Sequence, residues 1–342
     1  MEEKRNFDLL TLGQVLLRLS PPNNDRLVRG DTFVKQVGGA ELNVAVGVAL
    51  LGLRTGVISK LPSHDMGSFM KGKIRSYGVS DDFFMYDDSP SARVGIYYYE
   101  NGAYPRKPKV IYDRANSSFY SLKIDEIPEK AYTASRCFHT SGITLALSPK
   151  VRETAIEMIK RFKAAGTLVS FDVNFRGNLW TGEEAKECIE QILPYVDIFF
   201  CSEDTARLTF KKTGTAREMM KSFTEEYPIS IVASTQRIVH SPKSHTFGSI
   251  IYDARKDIYY EEEPYRDIDV VDRIGSGDAY ISGALYGLLT SDFDCEKAVR
   301  YGNATSAVKN TIPGDLPSSN LEEIQTIIKA HNQSGPQSEM AR

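Results

Sequence analysis

The stretch DRIGSGDAY, residues 272–280, sets two glycines and a carboxylate at the head of an apolar run, DAYISGALYGLL. Gly275 and Gly277 let the backbone approach an anion with no Cβ in the way. The N–H groups of Gly275, Ser276, Gly277 and Asp278 would point out of a helix N-terminus, where free donors and the helix dipole favour negative charge. Donors of that kind form an anion hole for a phosphoryl group in transit. Asp278 stands one step away, placed to accept the proton of an attacking hydroxyl as catalytic base. The dipole is expected to keep Asp278 ionised, a positioned acceptor more than a strong base. Read alone, the nonapeptide fits equally well a tight turn before a capped helix with an acid in its first turn.

Two other stretches carry chemistry. Arg114 follows Tyr112 in KVIYDRANSS, and Arg176 sits in FDVNFRGNLW. Guanidinium groups bind carboxylates as a planar fork. Tyrosines pack on a sugar face while their phenols reach its hydroxyls. Together they suit a sugar acid, and surface ion pairing is the alternative use of these arginines. Two phosphate motifs drop out. Gly67–Lys73 matches a P-loop up to its eighth position, which is Ile74 and has no hydroxyl for magnesium. Gly275-x-Gly277 lacks the third small residue of a dinucleotide fingerprint, because Tyr280 stands there.

The elements that must position these groups alternate. FDLLTLG (7–13) reads as a buried strand, and VGGAELNVAVGVALLG (37–52) as a small-residue helix stopped by Gly52. TGVISKL is a strand, and GSFMKGKIRSYGV (67–79) is an amphipathic helix with Phe69, Ile74 and Tyr77 as core candidates. After residue 130 strands and helices alternate through CFHTSGI, VRETAIEMIKRFKAAG, LVSFDVNF, EEAKECIEQILPYV, DIFFCS, a helix over 216–227 and SIVAST. That rhythm predicts a mostly parallel sheet covered on both faces, with ligands at the carboxyl ends of its strands. Segments 14–36 and 92–121 break it. GIYYY and KVIYD read as strands with no helix between, and with QVLLRLSPP and DTFVKQ they predict a small antiparallel sheet. This sheet is a lid over the site or an edge extension of the core.

Composition bounds the class. The chain has 342 residues with a net charge of −3, 25% charged and 41% hydrophobic, so a nucleic-acid partner is not expected. The start, MEEKRNFDLLTLGQVLL, does not read as a signal peptide, and no run approaches the ~18 apolar residues of a membrane span. The four cysteines are scattered and the five histidines lack ligand spacing. Reduced thiols in a cytoplasmic protein are expected, with no metal site assigned to them.

VVDRIGSGDAYISGALYGLL resembles the C-terminal signature of the ribokinase-like (PfkB) sugar kinases, D-T-x-G-A-G-D. GGAELNVAVGVALLGLRTGVISKLPSHDMG resembles the N-terminal signature of that family, in the matching order and at the matching separation. The Y-x-R of Tyr112 and Arg114 and the D-x-N-x-R-x-x-L-W ending in Trp180 resemble elements of its 2-keto-3-deoxygluconate kinases. The resemblance implies a three-layer α/β/α domain over 1–330 carrying the β lid, with 331–342 as a disordered tail. It implies an ATP- and Mg2+-dependent kinase acting on a terminal hydroxyl, with a monovalent cation as a further candidate. A homodimer joined through the lid is expected on a separate ground: exposed edges on the lid strands of 14–36 and 92–121 would be covered by pairing two chains. A sibling kinase for fructose, ribose or a sugar phosphate, or a non-catalytic sensor on the same fold, are the alternatives. Carried across, Gly38, Gly39 and Asn43 line the sugar site. Tyr97, Tyr112 and Arg114 reach it from the lid, and Asp315 contacts substrate. Asn174 and Arg176 lie between sugar and phosphates, with Ser202, Thr235 and Arg237 on the ATP side and Asn303 at the adenine. Gln14 replaces a usual acid, Ser202-Glu203-Asp204-Thr205 replaces an N-x-x-E motif, and Ser276 replaces the alanine of G-A-G-D.

Overall fold

The computed structural model describes residues 5–332. The strands in chain order are β1 (Phe7–Leu12), β2 (Leu16–Ser20), β3 (Val34–Gly38), β4 (Thr55–Pro62), β5 (Ser80–Asp87), β6 (Gly95–Glu100) and β7 (Lys109–Asp113). Then come β8 (Ser135–Ser141), β9 (Leu168–Asp172), β10 (Ile198–Phe200), β11 (Ile231–Ser241), β12 (Ser244–Asp253), β13 (Ile258–Glu261) and β14 (Tyr265–Asp269). The helices are α1 (Ala40–Leu50), α2 (Asp65–Ser76), α3 (Gly142–Ala146), α4 (Pro149–Ala164), α5 (Gly182–Glu190), α6 (Glu203–Leu208), α7 (Ala216–Glu226), α8 (Ser276–Leu289), α9 (Cys295–Asn310) and α10 (Leu321–His331).

The main sheet runs β13-β12-β11-β10-β9-β8-β1-β4-β5, with β14 also on β12. Its pairs from β5 across to β11 are parallel, and β12 to β14 pair antiparallel. Successive strand residues alternate between two cores, as a two-residue side-chain period requires. Leu10, Leu12, Phe138, Phe199 and Val232 enter one, beside Met158, Ile159 and Phe162 of α4 and Phe223 of α7. Leu9, Cys137, Ile198, Phe200 and Ile231 enter the other, beside Leu285 and Leu288 of α8 and Val299 of α9. The result is the expected three-layer α/β/α arrangement.

Outer helices show one apolar face and local caps. Ser148 caps α4 before Pro149, and Thr181 and Thr215 form capping boxes with Glu184 and Glu218. Helices α1 and α8 differ, because small residues let them sink into the core almost all round. They lie together, so both N-termini open at the carboxyl ends of the parallel strands. In α2 the buried residues are Gly67, Met70 and the expected Ile74, while Phe69 and Tyr77 are half-buried and pack against the same core.

The lid is a separate four-stranded sheet, β3-β2-β6-β7. Its outer pairs are antiparallel, but β2 and β6 are parallel. The reason is the route of the chain: β2 follows β1 and β6 follows β5, both leaving the main sheet at its carboxyl edge, so both enter the lid in one direction. The expected tail begins later than residue 331, because α10 runs through His331; residues 333–342 lie outside the described residues. Among the described residues no helix is long and apolar enough to cross a membrane, and Cys137, Cys188, Cys201 and Cys295 are free and buried.

Candidate active site

A cleft of about 530 Å³ lies between lid and main sheet. It joins a second hollow of about 270 Å³ over the ends of β9, β10 and β11. Asp172, Asn174, Arg176 and Gly277 line both. The α8 N-terminus stands at the junction. Gly275 caps it at φ 81°, a left-handed conformation, and a Cβ there would meet the Asp315 carbonyl oxygen at 2.0 Å. Only glycine can turn the chain at that point. Among the described residues the N–H groups of Gly275, Gly277 and Asp278 have no acceptor. The Ser276 N–H does have one, the Arg273 carbonyl oxygen at 3.2 Å. The free donors at this turn are therefore Gly275, Gly277 and Asp278, while the Ser276 amide, expected among them, closes the turn that presents them.

Asp278 faces the cleft half-buried, and its Oδ2 accepts from Asn43 Nδ2 at 2.7 Å. Burial pushes its carboxyl up to about 7, against the Asn43 bond and Arg176, which favour the charge. The helix dipole, expected to keep Asp278 ionised, is opposed by this desolvation. A carboxyl near 7 is a better base than an ordinary aspartate and is still ionised in half the molecules at neutral pH. Asp172, at the end of β9, is likewise raised to about 7 by burial and by repulsion from Asp278.

The half of the cleft under the lid is lined by Gln14, Gly39, Glu41, Asn43, Tyr97, Tyr112, Arg114 and Arg176. Gly39 has φ 134°, and a Cβ would meet the Gln14 carbonyl oxygen at 2.4 Å, so the paired glycines allow α1 to start directly against the cleft floor. Gly38 lies behind, against the Asp315 carboxylate. Gln14 has changed duty. Its Oε1 accepts from Arg114 Nε at 2.8 Å, and its Nε2 donates to Ser117 Oγ at 2.6 Å. It thereby orients a guanidinium where an acid would neutralise one. Arg114 is 9% exposed, and burial lowers its pKa. Among the described residues neither Arg114 nor Arg176 has a carboxylate within ion-pair distance, and the same holds for Arg237 and Arg273 on the cleft rim. The surface ion pairs that were the alternative use of Arg114 and Arg176 do not form.

Tyr97 and Asp315 reach the cleft with their polar atoms already engaged. The Tyr97 hydroxyl donates to Asp315 Oδ2, and Arg18 Nη1 donates to Asp315 Oδ1 at 2.7 Å. Arg18 Nη2 also pairs with Asp272 Oδ2 at 2.5 Å. Arg18 is 2% exposed, yet the two carboxylates overcome the burial that would lower its pKa and raise it instead. Both residues line the cleft, where substrate contacts were expected of them, and their side chains also support each other. Tyr97 still packs its ring 5.8 Å from that of Tyr112.

On the nucleotide side Asn174, Ser202 and Thr235 line the smaller hollow, and Arg237 lines the larger. Phe175, Phe200 and Ile281 supply apolar wall. Asn303 does not reach either hollow: it is fully buried, with its amide between Ser249 Oγ at 2.7 Å and Glu262 Oε1 at 3.0 Å. Its expected place at the adenine is corrected, because a side chain on the buried face of α9 is spent holding β12.

Residues 6–322 match the pfkB family carbohydrate kinase model. This chain belongs to the PfkB family of carbohydrate kinases. It is 33% identical over 322 residues to a 2-dehydro-3-deoxygalactonokinase of Haloferax volcanii, covering 94% of this chain and 96% of that protein. A 5-dehydro-2-deoxygluconokinase of Listeria monocytogenes is 27% identical, over 95% and 97%. The solved structure of 2-dehydro-3-deoxygluconokinase from Thermotoga maritima superposes with a TM-score of 0.89 at 31% identity, covering 94% of this chain and 99% of that one. The expectation of an ATP-dependent sugar kinase on a ribokinase-like fold holds.

Sequence reasoning missed several groups that this PfkB kinase brings to the site. Glu41 lies in the quoted GGAELN; its Oε1 accepts from Ser141 and Thr144 hydroxyls at 2.6 and 2.7 Å, and burial raises its pKa. Asp172 opens the quoted D-x-N-x-R. Arg273 precedes the anion turn. The altered Ser202–Thr205 segment also resolves. Ser202 caps α6, Thr205 lies beside it in the hollow, and Glu203 points away to Arg207. Among the described residues there is no three-membered cluster of His, Cys, Asp or Glu. Magnesium needs no such cluster, since one or two carboxylates plus substrate phosphates commonly hold it. Asp172 with the Ser202 and Thr205 hydroxyls is a hard-oxygen set of that kind.

Proposed function

We propose that this kinase transfers the γ-phosphoryl of ATP to the terminal hydroxyl of 2-keto-3-deoxygluconate. The observation that carries the reading is Arg114 and Arg176: two cleft-lining guanidinium groups beside the base, without carboxylate partners among the described residues. Arg114 is buried while Arg176 is exposed at the cleft. A buried cation left unpaired is costly, and the carboxylate of a sugar acid would relieve it at Arg114. The relatives in Haloferax, Listeria and Thermotoga carry the names of keto-deoxy sugar acids.

The sugar acid binds with its carboxylate toward Arg114 and Arg176 and its far end toward Asp278. ATP lies along Asn174, Ser202 and Thr235, with Arg237 and Arg273 at its phosphates. Bound magnesium would neutralise the β- and γ-oxygens, held by Asp172 and the Ser202 and Thr205 hydroxyls. The hydroxyl oxygen forms a bond to the γ-phosphorus, the bond from that phosphorus to the β–γ bridging oxygen breaks, and Asp278 takes the proton. The Gly275, Gly277 and Asp278 amides hold the charge of the transferring group. The lid excludes water, whose attack would waste ATP. The exposed edge strands β3 and β7 and the exposed Phe33, Val34, Val110 and Ile111 support pairing of two lids in a homodimer. A monomer in sedimentation would overturn that pairing. Cytoplasmic placement rests on the four free thiols.

The test is ADP release with a panel of 2-keto-3-deoxygluconate, its galactonate epimer, 5-keto-2-deoxygluconate, fructose and ribose. The expected order puts a keto-deoxy acid first by kcat/KM. A neutral sugar ranked first would refute the substrate assignment, and sugar binding without ADP release would favour a sensor.

A further inference from the structure

Lys309 is a buried cation that the transfer step does not use. It is 1% exposed and lies one residue before the end of α9. Its Nζ donates to the main-chain oxygens of Asp272 and Ile312, at 3.1 Å each. These oxygens belong to the two segments that build the anion hole. The first leads from Val271 into the Gly275 cap. The second passes through Gly314 and Asp315 and backs that cap, since Asp315 is what a Cβ on Gly275 would strike. The segments are tied to α9 as well, because the N–H groups of Val271 and Asp272 donate to the Asn310 oxygen at 2.8 and 3.1 Å. Asp272 closes the unit by accepting from Ile274 N at 3.0 Å and Gly314 N at 3.1 Å.

Main-chain carbonyls converging next to carboxylates form the kind of site that strips water from a monovalent cation. At this site burial works against the charge of Lys309 and brings its pKa down to about 8. Asp272, Asp315 and Asp278 favour the charge and Arg18 opposes it, so the ammonium form still prevails at neutral pH. An ammonium on a lysine stem already sits there, with its charge and donors turned to those oxygens. A free K+ would meet the same oxygens and a like charge within them. The monovalent cation that the family resemblance implies does not fit this donor set.

We propose that Lys309 is a tethered structural cation: its ammonium fills the place a free monovalent ion would take between the two loops, holds the anion-hole turn in shape as a positioning residue, and makes phosphoryl transfer by this chain independent of added K+ or Na+. The proposal rests on the anion-hole reading, which the Asp278→Asn variant below tests separately.

The full-length enzyme is assayed on the acid it turns over, with and without KCl or NaCl, at an ionic strength fixed with tetramethylammonium chloride. The expected change in the parent's kcat is under about twofold; activation by K+ of about fivefold or more overturns the proposal. Lys309→Met keeps bulk without charge and should lose roughly 10- to 100-fold in kcat, with the sugar KM moving little, because the hole and not the sugar site is disturbed. Lys309→Ala vacates the space, and K+, NH4+ or ethylammonium should restore part of its kcat. A folded Lys309→Met enzyme with parental kcat, or a Lys309→Ala enzyme that no cation rescues, refutes the tethered-cation role. If neither variant folds, the parent's own salt response still decides, since it needs no substitution.

Discussion

Asn43→Ala separates the ionisation of the base from the binding of the sugar. In the parent, Asn43 Nδ2 donates to Asp278 Oδ2 at 2.7 Å, and this bond opposes the burial that carries Asp278 to about 7. A hydrogen bond to a charged acceptor contributes about 1.5–3 kcal/mol. At about 1.4 kcal/mol per tenfold change in the ionisation constant, losing it raises the carboxyl by roughly 1–2 pH units. The sign is fixed by chemistry. The base must be unprotonated to accept a proton, so kcat/KM rises with pH through the carboxyl's titration and is lost below it.

The measurement is kcat/KM for limiting sugar acid at saturating ATP, from mildly acidic to alkaline pH, by coupled ADP detection. The parent's acid limb should bend at about 7. The ratio of variant to parent at each pH cancels any limb the two share. That ratio should be lowest in acid, by about 10- to 100-fold, and climb to a plateau in alkali. The plateau's shortfall reports the lost sugar contact, and the climb reports the base. A ratio flat across the range would mean that Asn43 binds sugar without tuning Asp278, and would refute the coupling between that amide and the ionisation of the base.

Asp278→Asn should lower kcat by about 10²–10⁴ with sugar KM little changed; near-parental turnover would reassign the base. Arg114→Met and Arg176→Met should each raise the KM of the sugar acid by about tenfold or more, since a bond to a charged group is lost. The same variants should leave the KM of the corresponding alcohol, with its carboxylate reduced, almost unmoved, and equal losses on acid and alcohol would place the arginines elsewhere. Arg18→Met leaves Asp272 and Asp315 buried without their cation, a break that costs about 3–5 kcal/mol. Thermal unfolding should show a clear fall in Tm, and an unchanged Tm would show that the network adds nothing to stability.

What could be read from the sequence was local. GSGD declares itself because glycine cap, free amides and first-turn acid are neighbours in the chain. Gly39, Asn43, Arg114 and Arg176 were legible because short motifs carry them, and the lid because strands without helices break a strong alternation. Arg18, Lys309 and Glu41 were not, since a buried charge is explained only by its partners. Arg18 meets Asp315 across 297 positions, and nothing near LLRLS marks that arginine as internal. The place expected of Asn303 shifted for the same reason: a polar residue at the right place in a motif can still spend its hydrogen bonds on the protein. The burial of Asp278 was not legible either, because the helix end is local while desolvation is the sum of everything packed above it.

These buried charges give the lid and the anion hole a common support. Arg18 comes from β2 and Tyr97 from β6, so both lid strands hold Asp315. The main chain of Asp315 in turn backs Gly275, and Asp272, the second partner of Arg18, binds the amides on either side of that cap. If β2 moved away, it would therefore leave Arg18 and its two carboxylates buried without partners, a cost large enough to hold β2 to the hole, and β6 is held with it by the β2 ladder and the Tyr97 hydrogen bond. Motion of the lid must come from its outer parts, β7 and the segments around β3, where Tyr112 and the chain leading to Arg114 lie. Tyr112 thus sits on the part of the lid that can close, while Arg114, held to Gln14 at both its main chain and its guanidinium, and the free amides of the α8 turn sit where the structure cannot yield.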